Sequence, residues 1–515
     1  MSKGISEFLL QQAGSAPEAL SIAFDLLNRG DLQAAAGMFQ RLLMQAPRNA
    51  EAAFGLGQVA ARSGDIKGAA KLFAQAAQHN PQFVEAYLML GNAYQQLGRI
   101  PQAQQAYRSG LAAAPDNPNL HYNLGVAQRL AGDFDSAIAS YQTAIRLKPD
   151  YARAYFSLGN AHRDQGRMEE AESAYLSAVR LQPDFADAQT NLGGLYAARE
   201  EHARALPCYE AALRSQPNHL IAQKNRSLTL YKLGRFREGA EATRLALLLA
   251  PNEMMIHYQM GEMLYGLVRE GDRETAKRYA EGWQQAYPDN PVAKHMSAAA
   301  LGEKPPERAD DAYVKETFDR FAVDFEKVLG GLNYRAPQLL DQALQPFLGE
   351  RRDLTILDAG CGTGLCAPLL KPRARKLVGV DLSPGMLAKA YDRKLYDQLA
   401  EVELGAFLAK TTDRYDVTVA ADVFCYFGEL ETIFKATADK MTPDGLLAFT
   451  VERIAGDAPA EGFRLDPTGR YAHSESYLRQ ALEKAGLTAK LFEESAARVE
   501  MEKPVPCFLV VAAKA

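Results

Sequence analysis

Three glycines in one turn and two acidic residues at the ends of apolar runs form a pattern that can contact a ligand. The segment TILDAGCGTG begins at residue 355, and its apolar run ends at Asp358. The turn that follows contains Gly360, Gly362 and Gly364. Glycines in such a turn let the backbone come close to a ligand. Asp381 ends a second apolar run 23 residues after Asp358, and a carboxylate there can accept hydrogen bonds from both ribose hydroxyls.

An aspartate at the end of a strand, followed by GxGxG, resembles the leading motif of class I S-adenosylmethionine (SAM) methyltransferases. The resemblance runs from about Leu354 to Ala515. It implies that Asp381 binds the ribose and that Asp358 lies near the methionine end of SAM. The segment LGAFLAK has no acidic residue for the adenine amino group, so we expect backbone groups near Ala406 to replace it. The cofactor residues expected from the resemblance are Asp358, Ala359, Gly360, Cys361, Gly362, Gly364, Asp381, Leu382, Met386, Ala406, Phe407 and Ala421.

Methyl transfer from a sulfonium requires mainly that a nucleophile be aligned in line with the activated carbon. An amine or a poor oxygen nucleophile also needs a base. Asp422 and Tyr426 follow the predicted fourth strand, whose end should face the ligand. Tyr471 and His473 are further candidates, because their loop is similar to one in bacterial methyltransferases that carry helical repeats. Alternatively, this loop only leads into a helix that Ser474 caps.

Prolines in the N-terminal half recur every 34 residues, a period that a single helix cannot produce. Glycines and aromatic residues keep the same step. An early glycine inside a helix indicates that a neighbouring helix passes close by. Together these features resemble the tetratricopeptide repeat (TPR) family, with about eight helix pairs. The prolines are Pro47, Pro81, Pro115, Pro149, Pro183, Pro217 and Pro251, the glycines are Gly57, Gly91, Gly125, Gly159 and Gly193, and the aromatic residues are Phe73, Tyr107, Tyr141, Tyr175 and Tyr209.

Stacked helix pairs form a superhelix whose concave face commonly holds a peptide or protein segment. Asn123, Asn191 and Asn225 share one repeat position, and Asn92 and Asn160 share another. Because an amide both donates and accepts, a ladder of asparagines can hold an extended peptide backbone. Alternatively, these amides only cover a solvated helix face. A protein or peptide partner in the groove is therefore the predicted ligand of the repeats.

The composition divides the chain. We predict a repeat array over residues 16–300, a linker over 301–311, a helical lid over 312–348 and an α/β domain over 349–515. In the last repeat, a small insertion is expected near Val268 to Gly271. The lid should consist of two helices, and its Tyr334 and Arg335 are candidate substrate contacts. The predicted fold class is a helical TPR solenoid followed by a Rossmann-like domain with a mostly parallel seven-stranded sheet.

The remaining composition limits the function. The 515 residues carry a net charge of −5 and contain no basic run, so we expect no nucleic acid partner. The first residues lack the features of a secretory signal, no apolar run is long enough to span a membrane, and the five cysteines form no metal-ligand cluster. We therefore predict a cytoplasmic protein with reduced, mostly buried thiols and no metal.

Three functions remain open. The first is a methyltransferase that acts on a protein or peptide held by the repeats. The second is a small-molecule methyltransferase whose repeats only dock it into an assembly. The third is a scaffold whose Rossmann-like domain binds SAM weakly or not at all. A nicotinamide dinucleotide is an alternative cofactor, although the loop matches the methyltransferase pattern more closely.

Overall fold

The computed structural model describes residues 15–302, 305–454, 456–500 and 503–515. The chain divides into two compact units, one up to residue 229 and one from residue 230 onwards. The N-terminal segment, in which no secretory signal was found, lies outside the described residues. Among the helices that the structure describes, none is both long and apolar enough to cross a bilayer. The limits of the predicted domains remain a prediction.

The first unit consists of helix pairs joined by short turns. Many of its helices begin at an aspartate or asparagine whose side chain accepts from the first turn, as Asn49 does from the Ala52 N–H at 2.9 Å. The helices are α1 (Ala16–Asn28), α2 (Leu32–Gln45), α3 (Ala50–Arg62), α4 (Ile66–His79), α5 (Val84–Gln96), α6 (Ile100–Ala113), α7 (Pro118–Leu130), α8 (Phe134–Leu147), α9 (Ala152–Asp164), α10 (Met168–Leu181), α11 (Ala186–Ala198), α12 (His202–Ser215) and α13 (Leu220–Lys232), the last of which extends into the second unit.

The recurring glycines have the role that the sequence predicts. A Cβ atom at any of the five early glycines would come within 3.0 Å of the aromatic ring of the next helix. Those rings are buried, and the four tyrosines among them are among the largest fully buried side chains of the chain. The helices of a pair therefore approach closely because one residue has no side chain and its neighbour in the next helix has a large one.

The second unit begins with four more helices of the array. They are α14 (Phe236–Leu249), α15 (Met254–Arg269), α16 (Arg273–Ala286) and α17 (Pro291–Leu301). The predicted insertion lengthens α15, which has 16 residues where α11 has 13. Gly302 ends α17 in the left-handed conformation, with φ of 64°.

The predicted two-helix lid is wrong in number, because the segment forms three helices. They are α18 (Asp311–Phe321), α19 (Phe325–Gly331) and α20 (Ala336–Leu348). Helix α19 ends with two successive glycines, and the chain then turns at Asn333, whose φ is 50°. Asparagine tolerates this left-handed conformation better than most residues.

The sheet follows in the order β3-β2-β1-β4-β5-β9-β8, with β9 antiparallel to β5 and to β8. These seven strands and the antiparallel hairpin β8–β9 confirm the predicted fold class. Two short strands, β6 and β7, were not predicted. Strand β7 pairs in parallel with the end of β5, and β6 pairs antiparallel to β7. The strands are β1 (Leu354–Ala359), β2 (Ala374–Asp381), β3 (Gln398–Glu401), β4 (Tyr415–Ala420), β5 (Met441–Arg453), β6 (Phe463–Leu465), β7 (Tyr471–His473), β8 (Leu487–Glu500) and β9 (Lys503–Lys514).

Helices cover both faces of this sheet, and the central strands are buried on both sides, as every residue of β1 is. The order of the strands reverses between β1 and β4, so the chain leaves these two strands in opposite directions. Ligands of open α/β sheets bind at that point. The helices within the domain are α21 (Ala367–Leu370), α22 (Pro384–Asp392), α23 (Leu404–Lys410), α24 (Glu431–Lys440) and α25 (Glu475–Lys484).

Two adjacent glycines of α11 give a matched test of the repeat packing. A Cβ at Gly193 would lie 2.8 Å from the Tyr209 ring, whereas a Cβ at Gly194 meets nothing within 4 Å. We expect Gly193→Ala to lower the free energy of unfolding by about 1–3 kcal/mol through overpacking. Gly194→Ala should raise it by about 0.5–1 kcal/mol, because alanine favours the helix. Urea unfolding of the full chain, followed by circular dichroism, measures both changes. Equal shifts for the two variants would contradict this account.

Candidate active site

A cavity opens at the carboxyl ends of β1, β2 and β4, where the strand order reverses. It encloses about 1070 Å³, including open space at its mouth. Its floor comes from the strand ends and their loops, and its cover comes from α18, α19 and the turn after α19. Residues of the floor that line it are Gly360, Gly362, Asp381, Leu382, Ala421, Asp422, Val423 and Tyr426, and residues of the cover are Val314, Phe318, Phe325, Leu329, Leu332 and Tyr334.

The glycine turn is held against the end of β2 by Asp381. The Gly362 N–H donates to Asp381 Oδ2 at 2.8 Å, and the Ser383 N–H donates to Oδ1 at 2.9 Å. Gly360 has φ of 63°, and a Cβ there would lie 2.5 Å from Val423. A Cβ at Gly362 would instead meet nothing closer than 4.0 Å. The turn is therefore close-packed behind Gly360 and open towards the cavity at Gly362.

Asp358 lies beneath this turn and is 1% exposed. Burial raises the pKa of Asp358 to about 7, although the hydrogen bond from the Tyr396 hydroxyl, 2.6 Å from Oδ2, favours the carboxylate. Burial and nearby acidic groups raise the pKa of Tyr396, so its hydroxyl remains a donor. Tyr396 was not predicted, because it lies far along the chain from the glycine motif.

Polar contacts fasten the cover to the floor. Asp319 of α18 accepts from the Ser383 hydroxyl and from the Gly385 N–H at 3.1 Å, next to Asp381. Glu326 of α19 accepts from Arg393 at 2.6 Å. These hydrogen bonds attach the cover to the segment that follows β2.

The other half of the cavity is bordered by a buried ion network. Arg498 of β8 is 4% exposed and donates to Asp422 at 2.9 Å, to Glu500 at 2.8 Å and to Glu452. Arg470 donates to Glu500 at 2.6 Å. Burial alone would raise the pKa of Glu500, but the two arginines hold it at about 2. Two guanidinium groups therefore face three carboxyl groups, and each charge has an opposite partner.

Asp422 and Tyr426, both predicted as catalytic, line the cavity beside this network. The Asp422 backbone is left-handed, with φ of 54°, and Thr450 donates to its Oδ1 at 3.0 Å. Residues in such conformations cluster at functional sites. Burial raises the pKa of Tyr426, so its hydroxyl keeps its proton and can only donate or accept a neutral hydrogen bond. Arg470 lies beside that hydroxyl.

The other two catalytic candidates lie outside the cavity lining. His473 is 0% exposed, and its Nε2 is 3.0 Å from the Gly428 carbonyl oxygen. Burial lowers the pKa of His473 to about 4. The Tyr471 hydroxyl donates to the Pro306 carbonyl at 2.9 Å. Ser474 caps α25, as the alternative interpretation of this loop predicts. We therefore give neither His473 nor Tyr471 a role in the proposed chemistry.

Several other predicted contacts also lie away from the cavity lining. Met386 is a fully buried residue of α22, and Phe407 packs in the core. The Ala406 N–H is occupied, because it donates to Glu403 at 2.7 Å. Tyr334 lines the cavity, whereas Arg335 is exposed at the start of α20. Of the glycine motif, Ala359, Cys361 and Gly364 support the turn without lining the cavity.

The segment LGAFLAK itself has no acidic residue, but Glu403 lies directly before it. Glu403 follows β3, lines the cavity and caps α23 through the N–H groups of residues 405 and 406. An acidic residue directly before a short helix was the available signal. Arg470, Arg498 and Glu452 gave no such signal, because only the folded sheet brings them together.

Several asparagines of the first unit make hydrogen bonds within the repeats themselves. The hydroxyls of Tyr107 and Tyr175 donate to Asn92 and Asn160, each at 2.7 Å. The Asn191 amide donates to Asn160 at 2.8 Å. The Asn123 amide donates to a backbone carbonyl of its own helix. A peptide-binding role for Asn123, Asn191 and Asn225 remains a prediction.

Comparison with protein families agrees with both parts of the chain. A methyltransferase domain model matches residues 332–490. A tetratricopeptide repeat model matches residues 12–82, 88–152, 131–186, 156–219 and 190–253. The chain consists of TPR repeats and a methyltransferase domain. All five of its cysteines are unpaired and buried, as expected.

Individual proteins that are similar to this chain each match only part of it. Human methyltransferase-like protein 27 is 43% identical over 90 residues, which are 17% of this chain and 37% of that protein. Malonyl-[acyl-carrier protein] O-methyltransferase of Acetivibrio thermocellus is 28% identical over 143 residues, 27% of this chain and 50% of that protein. The chain thus spans half or less of these two relatives. The crystal structure of MamA is similar to 32% of this chain, with 26% identity and a TM-score of 0.30.

The pKa of Asp358 predicts how its contribution to stability depends on pH. The value rises from 3.8 to about 7 on folding, so between these pH values the folded chain keeps a proton that the unfolded chain has lost. This contribution is fully present below about pH 4 and is lost as the pH rises to about 7. Urea titrations across this range measure the free energy of unfolding of the wild type and of Asp358→Asn. Relative to Asp358→Asn, the wild type should become less stable as the pH rises from about 4 to about 7. Tyr396→Phe should extend the loss to higher pH. A difference that is independent of pH would refute the assignment.

Proposed function

We propose that the chain is a SAM-dependent methyltransferase that acts on a protein or peptide held by its repeats. The observation that carries this proposal is a single cavity with two chemically different halves. One half has the open glycine turn and Asp381, and the other has Asp422, Tyr426 and Arg470. The buried, unpaired cysteines support a reducing compartment such as the cytoplasm.

The residues of the first half fit SAM. Asp381 can accept from ribose hydroxyls, and the open face of the turn at Gly362 leaves room for the ligand to approach the backbone. Glu403 and Leu382 also line the cavity, and in this proposal they contact the adenine ring. A bound SAM supplies an activated methyl group on a sulfonium centre. The same turn would also suit a dinucleotide, but the family match of this domain to methyltransferases favours SAM.

The second half can orient an acceptor and take up its proton. Asp422 is the candidate proton acceptor, because its carboxylate lines the cavity and is held by Arg498 and Thr450. Tyr426 can orient a polar acceptor by donating from its neutral hydroxyl. The apolar residues of α18 and α19 exclude water from the path of transfer.

The repeats support a macromolecular acceptor, since stacked helix pairs commonly hold peptides. A second candidate is an acyl group presented on a carrier protein or a free small molecule. It is supported by the similarity of the methyltransferase domain to an enzyme whose name states a malonyl-[acyl-carrier protein] substrate. The two candidates differ in whether the methyl label stays on a protein after its thioesters are cleaved.

Substitution of Asp381 tests the cofactor site. Asp381→Ala removes the acceptor for the ribose and the tie to Gly362, so SAM affinity in calorimetry should fall at least 100-fold, a loss of about 2.7 kcal/mol. The matched control is Asp439→Ala, because Asp439 is an exposed carboxylate on α24 that pairs with Lys435 and does not line the cavity among the residues described. Asp439→Ala should bind SAM like the wild type. Retained affinity in Asp381→Ala, with the fold intact, would refute the site.

Labelling of a lysate from cells that lack the gene tests the acceptor class. With tritiated SAM, the wild-type enzyme should label a protein band that resists hydroxylamine, which cleaves thioesters. The triple variant of Asn123, Asn191 and Asn225 to alanine should lose most of this labelling and keep SAM affinity. Thr143→Ala with Ser177→Ala is the control, because both hydroxyls are exposed and bond only to their own helices. Label confined to metabolites or lost with hydroxylamine would favour the second candidate.

A further inference from the structure

A buried histidine in the last helix of the array contacts the methyltransferase domain. His295 of α17 is 3% exposed, and its Nε2 is 2.8 Å from the Gly469 carbonyl oxygen. Burial lowers the pKa of His295, so the ring is neutral at pH 7. The carbonyl can only accept, and the proton therefore lies on Nε2.

The same ring also contacts the cover of the cavity. It stacks on Tyr313 of α18 with a centroid distance of 4.0 Å. Gly469, with φ of 82°, fits under this pair, because a Cβ there would lie 2.7 Å from the Tyr313 hydroxyl oxygen. Tyr313 directly precedes Val314, which lines the cavity, and Phe318 lies one turn further along α18. One imidazole thus contacts both the cover and the loop before β7.

The loop before β7 carries a cavity residue immediately after the contact. Arg470 follows Gly469, lines the cavity and joins Glu500, Glu452 and Tyr426. The position of the Gly469 carbonyl sets where the Arg470 backbone begins. A guanidinium in a buried network has little freedom to compensate for a displaced backbone, because its fork geometry is rigid.

Two further contacts join the array to α18. The Tyr258 hydroxyl of α15 is 3.0 Å from the Thr317 hydroxyl, and the Arg320 guanidinium lies 4.4 Å from the centre of the Tyr258 ring. These contacts belong to one compact unit that begins at residue 230. The end of the array is therefore part of the framework around the cavity.

We propose that His295 is a positioning residue for methyl transfer. It holds Arg470 and α18 in place in the half of the cavity that contains Asp422 and Tyr426, which is the half proposed to receive the acceptor. The proposal rests on the proposed function, since this half matters only if it receives an acceptor. Through His295, the last repeat helix becomes a structural part of the active site in addition to any role in capture.

Two substitutions separate the donor from the stacking ring. His295→Phe keeps an aromatic ring against Tyr313 but cannot donate to Gly469. His295→Gln keeps a donor nitrogen at a similar reach but loses the ring. His257→Phe is the matched control, because His257 is 0% exposed and its Nε2 lies 2.8 Å from the Pro251 carbonyl oxygen. That bond lies entirely within the array.

Hydrogen exchange of the ligand-free full chain gives the first measurement. In His295→Phe, amides of the segment 466–473 should exchange at least tenfold faster than in the wild type, and His295→Gln should restore much of the protection. In His257→Phe this segment should remain as protected as in the wild type. Thermal unfolding of all variants shows whether they are folded. Unchanged exchange in His295→Phe would overturn the proposal.

Methyl transfer from tritiated SAM into dilutions of the lysate gives the second measurement. His295→Phe should raise the half-saturating amount of lysate about tenfold while SAM affinity in calorimetry changes less than twofold, with rescue by His295→Gln. Loss that follows thermal stability across all variants, His257→Phe included, would show a merely structural histidine and overturn the proposal. If the wild type neither binds SAM nor transfers label, the proposed function fails instead, and the exchange experiment still reports on the His295 contact.

Discussion

The half of the cavity that contains Asp422 and Tyr426 depends on the pairing of one buried guanidinium. Arg498 lies on β8, and its three carboxyl partners come from the loop after β4, from β5 and from the end of β8. A charge that loses its partner in such a place costs about 3–5 kcal/mol. The strand ends and the loop that carries Arg470 must therefore stay in register with one another. Asp422, whose backbone is left-handed, is one of the partners in this network.

The half of the cavity that contains the glycine turn is organised differently, by backbone groups around two carboxylates. Asp381 ties the glycine turn to β2, and Asp358 stands beneath the turn with Tyr396. Desolvation acts on both carboxyls, but Asp381 accepts N–H groups that favour its charge, and Asp358 has a neutral hydroxyl as its partner. Burial thus raises the pKa of both acids, and a different set of hydrogen-bond donors opposes this rise at each of them.

The array and the methyltransferase domain meet within one compact unit. Helices α14 to α17 continue the helix pairs. Within them, Tyr258 contacts α18 and His295 contacts the loop before β7. The insertion lengthens α15, the helix that carries Tyr258 and its contact with α18. Interruption of the 34-residue period there is therefore associated with a change in what the repeat packs against.

The sequence alone determined the features that depend on local geometry or on period. The 34-residue period predicted the TPR repeats and the close approach of helices at positions such as Gly193. The apolar runs predicted the strands of the sheet, and the ends of two of these runs predicted Asp358 and Asp381 as site residues. The tertiary structure decided which polar side chains meet. His473 was a catalytic candidate by sequence, but it is buried, and Asn160 accepts a hydrogen bond from the Tyr175 hydroxyl. Arg470 and Arg498 are neighbours only because β5, β7 and β8 assemble into one sheet. Burial and pairing depend on residues distant in the chain, and no local pattern encodes them.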